Sequence, residues 1–259
     1  MIKHIKRKTV KFFKLDQETL DKLAPEKVPE DVLSNIKFKD VKNHNAIQLM
    51  EDGEVLFSFF YNDNGQACTI PLANPVLIYF NIAQSHLRTI YLKKEDLLGL
   101  FRNRKDINED AMKLFYDFFG LTSSFIIMLM TSIEAFVNQH IDKDFKYEKP
   151  EQKKYLKLYD YEQILRWVSL EDKIEDIINK KYSKNFATKY PNRYVFIKNL
   201  KELRDQIVHT KSGKNHEGYI DLFRKSLNFK FSECIEAVRD FINYYDADLI
   251  EPCPCGIDT

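Results

Sequence analysis

The sequence predicts an α+β protein that is mainly α: an antiparallel helical bundle preceded by a small antiparallel β-rich region. Two observations carry this. Up to about residue 72 apolar residues alternate with polar ones, and the breaks are rich in Gly, Asn and Asp. After Pro75 the apolar spacing becomes helical and stays so. A chain of 259 residues is long enough for one large domain or two small ones. The expected organisation is a small α+β region over residues 1–73, a helical domain over 74–250 and a loose tail over 251–259.

Taken in order, residues 10–15 are strand-like and residues 31–35 suit a short helical turn. Residues 36–39 alternate, as do parts of 46–50 and 55–61. Glu51-Asp52-Gly53 and Asn62-Asp63-Asn64-Gly65 are hairpin turn signals. Residues 68–72 complete the expected meander. Helices are expected over 76–92, 95–102, 108–141 (with Gly120 as a candidate break), 161–168, 170–182, 193–209, 217–227 and 232–246. No strand is expected after residue 110.

Composition narrows the function classes. Only 7 Gly are present, and no G-x-x-x-x-G-K or G-x-G-x-x-G pattern occurs, so a glycine-rich phosphate loop is not expected. Net charge is +1, so nucleic-acid binding requires a local basic patch. The basic N-terminus is followed by no apolar stretch, unlike a secretory signal. The longest uncharged run, residues 118–133, is short for a membrane span and is expected to be a buried core helix. A cytoplasmic protein with reduced thiols and no membrane partner is therefore expected. Cys253-Pro254-Cys255-Gly256 begins like a zinc-binding tail, but no further Cys or His follows, so no metal is expected there. His4, His44, His86 and His140 share no ligand spacing, and no cofactor is expected.

The chemistry-bearing stretch is Arg204-Asp205-Gln206-Ile207-Val208-His209. On a helix, Phe196, Leu200, Leu203 and Ile207 form a stripe expected to face the core. Lys198, Glu202, Asp205 and His209 fall opposite, so His209 is expected to project outward. Asp205 precedes His209 by four and is placed to accept a hydrogen bond from it, fixing the imidazole tautomer. Arg204 lies on the flank. The alternative is an exposed His and an ion-paired Arg at a helix end. Glu134 follows sixteen uncharged residues, so partial burial and a cationic partner are expected, with Arg204 the natural candidate. Asn138, one turn later, is placed to bind the same group or a substrate. Lys180, Lys181, Lys184, Lys189 and Arg193 are interleaved with aromatic residues, and Lys211 and Lys214 follow the motif. Such a mixture suits phosphates and unpaired bases; a solvated basic loop is the alternative.

Ser132-x-Glu134-Ala135-Phe136-x-Asn138, followed by Arg204-Asp205-x-x-x-His209, resembles the HEPN superfamily, over roughly residues 74–246. The resemblance implies an α-helical, usually dimeric protein. Many such proteins are RNases of toxin–antitoxin, abortive-infection and CRISPR systems. It implies a composite cleft where the motifs of two subunits meet, an RNA substrate, and an antitoxin or other defence-system partner. The implied chemistry is metal-independent: the RNA 2′-OH attacks the adjacent phosphate, His209 acts as acid or base, and Arg204 stabilises the phosphorane. The superfamily also contains inactive members and nucleotide-binding scaffolds.

Overall fold

The computed structural model describes residues 12–14, 17–23, 36–49, 54–102, 108–150 and 156–251. The chain divides into two compact units, residues 1–77 and 78–259.

The first unit contains β1 (Phe12–Lys14), α1 (Gln17–Leu23), α2 (Phe38–Val41), β2 (Asn45–Leu49), β3 (Glu54–Asp63) and β4 (Gln66–Pro71). The ten-residue β3 is its spine. It pairs antiparallel with β2 over residues 55–59, with β1 over 54–56 and with β4 over 58–63. The β3–β4 turn is the Asn-Gly type that the sequence signals. Asn64 and Gly65 both take positive φ, 51° and 93°, as a two-residue hairpin turn requires. The Gly65 N–H donates to Asn62 Oδ1 at 2.8 Å.

Residues 36–39 correct the sequence reading. Only Lys37 bridges to Gln66, and the chain then turns into α2. Four alternating residues are too few to separate a strand from a helical turn. The expected helical turn at 31–35 and the turn at 51–53 lie outside the described residues.

The second unit is helical apart from one hairpin. α3 (Pro75–Arg102) unites the two helices expected before residue 102. α4 (Glu109–Gln139) is capped by Asn108, whose Oδ1 accepts the Ala111 N–H at 3.0 Å, and runs unbroken through Gly120. By length and composition α4 alone among the described residues is apolar enough to cross a membrane. Its Phe118, Phe125, Leu129, Ile133 and Phe136 are nevertheless buried in the protein, and it is a core helix.

The hairpin β5 (Tyr147–Pro150) and β6 (Leu156–Tyr159) contradicts the expectation of no strand after residue 110. Its strands are four residues long, and two of the four residues of β5 are charged. Pairing is supported by the facing rings of Tyr147 and Tyr159, with centroids 6.3 Å apart. These two join Ile141, Ile164, Val168 and Ile177 in a satellite core.

α5 (Tyr161–Trp167) opens with a capping box between Asp160 and Gln163. α6 (Leu170–Asp172) passes into a π-helical stretch, Lys173–Ile177, and then into α7 (Ile178–Tyr182). α8 (Phe186–Lys189), α9 (Pro191–Val208), a 3-10 turn (Lys214–His216), α10 (Glu217–Asn228) and α11 (Phe231–Tyr245) follow.

Side-chain pairs give the helix directions. His86–Ser124 and Lys93–Asp117 make α3 and α4 antiparallel. Arg193 meets Glu236 and Asp240 while Cys234 reaches the Phe196 carbonyl, so α9 and α11 are antiparallel. Phe125–Phe231 and Phe136–Phe241 show that α4 and α11 run the same way.

α9 is therefore packed from two sides. Its buried residues are Tyr194, Ile197, Leu200 and Leu203, a series stepping by three that sweeps about halfway round the helix. The expected stripe had Phe196 and Ile207 in place of Tyr194 and Ile197. Both are only half-buried. A single-face pattern cannot anticipate a helix held by α11 near its start and by α4 near its end.

Candidate functional site

The site is built on the last two turns of α9 and the facing part of α4. Arg204 is half-buried, and its Nη2 is ion-paired with Glu134 Oε1, as the apolar sequence around Glu134 led us to expect. Its Nη1 donates to Asp205 Oδ1 at 2.9 Å. Two carboxylates thus fix both guanidinium tips, from opposite sides of the α4–α9 contact. Fixing a guanidinium by its own fork restricts its orientation more than a point contact does.

His209 sits at the C-cap of α9, with its backbone N–H donating to the Asp205 carbonyl at 2.9 Å. Its side chain is exposed, in line with the helical-wheel expectation. The expected hydrogen bond between the Asp205 carboxylate and the His209 ring is not formed. Asp205 Oδ2 instead accepts from Lys201 Nζ at 3.2 Å, and Oδ1 faces Arg204. The helix ends at Val208, so His209 leaves the regular i, i+4 register that would have stacked it on Asp205.

Asn138 also has a different partner from the expected one. Its Oδ1 accepts from Lys173 Nζ at 3.0 Å, and the same ammonium donates to the Leu165 carbonyl at 3.1 Å. Lys173 is only 5% exposed. Burial pulls its pKa below the ordinary lysine value, and the Glu134 charge partly opposes this. The sequence reading missed Lys173. A lysine opening the apolar run Ile174, Ile177 and Ile178 was the available signal.

A groove of about 550 Å³ runs along the outer face of α9. Met130, Ile174, Ile197 and Leu222 give it an apolar floor, and Tyr194, Gln206, Asp205 and His209 contribute polar walls. Three lysines line it, Lys198, Lys201 and Lys211, together with four acids, Glu171, Glu202, Asp205 and Asp221. Three of the acids are engaged. Lys225 binds Glu202 at 2.7 Å and Asp221 at 3.0 Å, and Lys201 binds Asp205. Lys198 lies over the Tyr194 ring, 5.7 Å from its centroid. The Tyr194 hydroxyl donates to Glu175 at 2.7 Å, and burial together with that acceptor drives its pKa far upward. It is therefore a fixed donor rather than an acid–base group. Arg204 and Glu134 are not among the groove walls.

Most of the sequence-predicted RNA-binding cations are engaged within the protein. Lys180 pairs with Asp176 at 2.8 Å, Lys181 with Asp142 at 2.7 Å, and Arg193 with Glu236 and Asp240 at 3.0 and 3.1 Å. Lys184 and Lys189 lie over the Tyr244 ring at 5.6 and 5.3 Å. Lys181 ties α7 to the turn after α4, Lys184, Lys189 and Arg193 lie against α11, and Lys180 pairs one turn back along its own helical segment. Of the seven, only Lys211 lines the groove beside His209. Lys214 lies in the exposed 3-10 turn.

That turn belongs to a strained link. Gly213, Asn215 and His216 all have positive φ. The Gly218 N–H closes the link by donating to the Ser212 carbonyl at 3.0 Å. Cys253 and Cys255 lie outside the described residues. The chain matches no family model, no curated protein and no solved structure.

Proposed function

We propose that the protein is a metal-independent, HEPN-type endoribonuclease acting at Arg204 and His209. The observation that carries this is the pairing of an oriented arginine with an outward-facing histidine at the end of one helix. Arg204 is anchored by Glu134, and His209 projects beside a groove floored by apolar side chains. An anchored guanidinium is preorganised for the charge that builds on a phosphorane. An exposed imidazole is free to take the 2′-OH proton or to protonate the departing 5′ oxygen. The O–P bond from the 2′ oxygen forms as the bond to the 5′ oxygen breaks, leaving a 2′,3′-cyclic phosphate and a 5′-OH.

Lys198 and Lys211 supply cationic walls for a single strand. One His and one Arg make a sparse site, so the proposal includes a homodimer in which two motifs share one cleft. A cytoplasmic toxin or anti-phage effector, held in check by an antitoxin or another defence partner, is the setting this chemistry fits.

The test is incubation of the purified protein with mixed RNA in EDTA, beside a His209→Ala control. Cleavage products should carry cyclic phosphate ends, and the variant should be inactive. Cleavage that persists in His209→Ala, or that needs an added divalent ion, rules the site out.

A second reading is favoured by one observation: both tips of Arg204 are occupied by carboxylates of the same chain. A guanidinium so engaged suits a non-catalytic HEPN-like binding or scaffold protein. RNA binding without cleavage, undiminished by Arg204→Ala, would support that reading.

A further inference from the structure

Lys173 sits where a lysine is costly. It is 5% exposed, within a π-helical stretch between α6 and α7. A buried ammonium is tolerated when hydrogen bonds and a counter-charge replace water. Two of its three N–H donors are used, by Asn138 Oδ1 and the Leu165 carbonyl. Asn138 lies one turn beyond Glu134 on α4, so both side chains occupy one face of that helix. Glu134, the carboxylate that holds Arg204, therefore lies one turn from the amide that Lys173 binds, near enough for its charge to favour the ammonium. π-helical turns inside α-helices recur at functional sites, because the extra residue redirects one side chain. Here the side chain of Lys173 reaches Asn138, one turn from the carboxylate beneath the motif.

We propose that Lys173 is a positioning residue: its ammonium, tied to Asn138 and the Leu165 carbonyl, is the internal counter-cation that keeps Glu134 seated on Arg204. The arrangement is a relay of charges, Lys173, Glu134, Arg204 and Asp205, alternating in sign from the π-helical stretch to the motif. Its effect on cleavage rests on the ribonuclease reading, whereas its effect on Arg204 does not.

The test uses the full chain and three exchanges: Lys173→Met, Glu134→Gln and both together. The first readout is thermal unfolding. Lys173→Met should lower the melting temperature in the wild-type background, and by less than half as much when Glu134→Gln is already present. Equal losses in the two backgrounds, failure of both proteins to fold included, overturn the proposal. The second readout is the set of Arg204 side-chain nitrogen resonances in ¹⁵N-labelled protein, assigned by their loss in Arg204→Lys. Lys173→Met should merge the resolved Nη signals, as Glu134→Gln does. Wild-type Arg204 signals in folded Lys173→Met also overturn it. The third readout is cleavage of a single-stranded RNA oligonucleotide. Lys173→Met should lower kcat at least tenfold with KM within twofold. If the wild-type protein cleaves no RNA, the ribonuclease reading fails, and the first two readouts still decide the role of Lys173.

Discussion

Arg204 illustrates how far one residue's surroundings set the size of a mutational effect. Its side chain is 23% exposed and that of Glu134 is 37% exposed, so solvent screens the pair in part. Glu134→Ala is therefore expected to cost about 1–2 kcal/mol, above an exposed ion pair but below the 3–5 kcal/mol of a fully buried one. Urea unfolding of the two proteins measures this directly. His209 is exposed and makes no side-chain hydrogen bond among the described residues. His209→Ala should thus change stability by no more than about 0.5 kcal/mol while abolishing cleavage. Asp205 divides its carboxylate between Lys201 and Arg204. Asp205→Ala should accordingly slow cleavage without moving its pH profile, because the residue acts on the arginine. A displaced profile in that variant would restore the direct Asp205–His209 contact that the helical spacing suggested.

At the scale of elements, the close approach at the start of α10 gives a sharp prediction. A Cβ added at Gly218 would lie 1.9 Å from the Lys211 carbonyl oxygen, which is backbone and cannot swing aside. Gly218→Ala should cost about 1–3 kcal/mol, as overpacked sites do, and should displace the Lys211–Ser212 backbone beside His209. A melting temperature equal to wild type would show that the link relaxes freely. The same scale explains what was legible in the sequence. Long helices with caps and steady apolar spacing, such as α4 with Asn108, could be read directly, as could the Asn64-Gly65 turn. The Glu134–Arg204 pair was legible because a charge in an apolar helix demands a partner. The β5–β6 hairpin was not, since its stability comes from ring packing between Tyr147 and Tyr159 rather than from alternation. Lys173 was missed because periodicity assigns a face to each residue of an α-helix, and a π-helical turn breaks that assignment.

For the whole molecule, buried phenols dominate the alkaline limit. Burial pushes Tyr147 and Tyr245 up to about 12, with Asp176 adding to the effect at Tyr147. Burial also raises Tyr182 and Tyr194 and the Cys234 thiol. Each group binds its proton more tightly folded than unfolded, so its stabilisation is complete below the unfolded value and is lost as pH rises through the folded one. Lys173 has the opposite sign, gaining stability as pH climbs toward the ordinary lysine value, but it is one group against these five and Lys225, whose pKa its hydrogen bond to Glu202 raises. Net stability should therefore fall between about pH 9 and 12. Loss of helical ellipticity should coincide with the last phase of the tyrosinate absorbance change. Tyrosine titration complete before unfolding would show these rings to be solvent-accessible.

The proposed homodimer needs an uncovered surface on the second unit. Val195 and Val208 on α9 are 47% and 52% exposed, and Tyr219 and Ile220 on α10 are 38% and 43% exposed. These apolar side chains are exposed on the two helices whose other residues line the groove, and exposed apolar surface is what association covers. Two-fold symmetric pairing is the commonest oligomer geometry. In the proposed composite cleft, such pairing would bring two copies of His209 and Arg204 to one phosphate, where charge accumulates in the transition state. Light scattering at micromolar concentration should therefore give twice the chain mass. Ile220→Asp should dissociate the dimer, because it places a charge where apolar surface meets apolar surface. The exchange lies outside the Arg204–His209 machinery, so loss of cleavage with dissociation would tie activity to the shared cleft. A wild-type monomer with full activity would exclude the composite site. A dimer unaffected by Ile220→Asp would place the interface elsewhere.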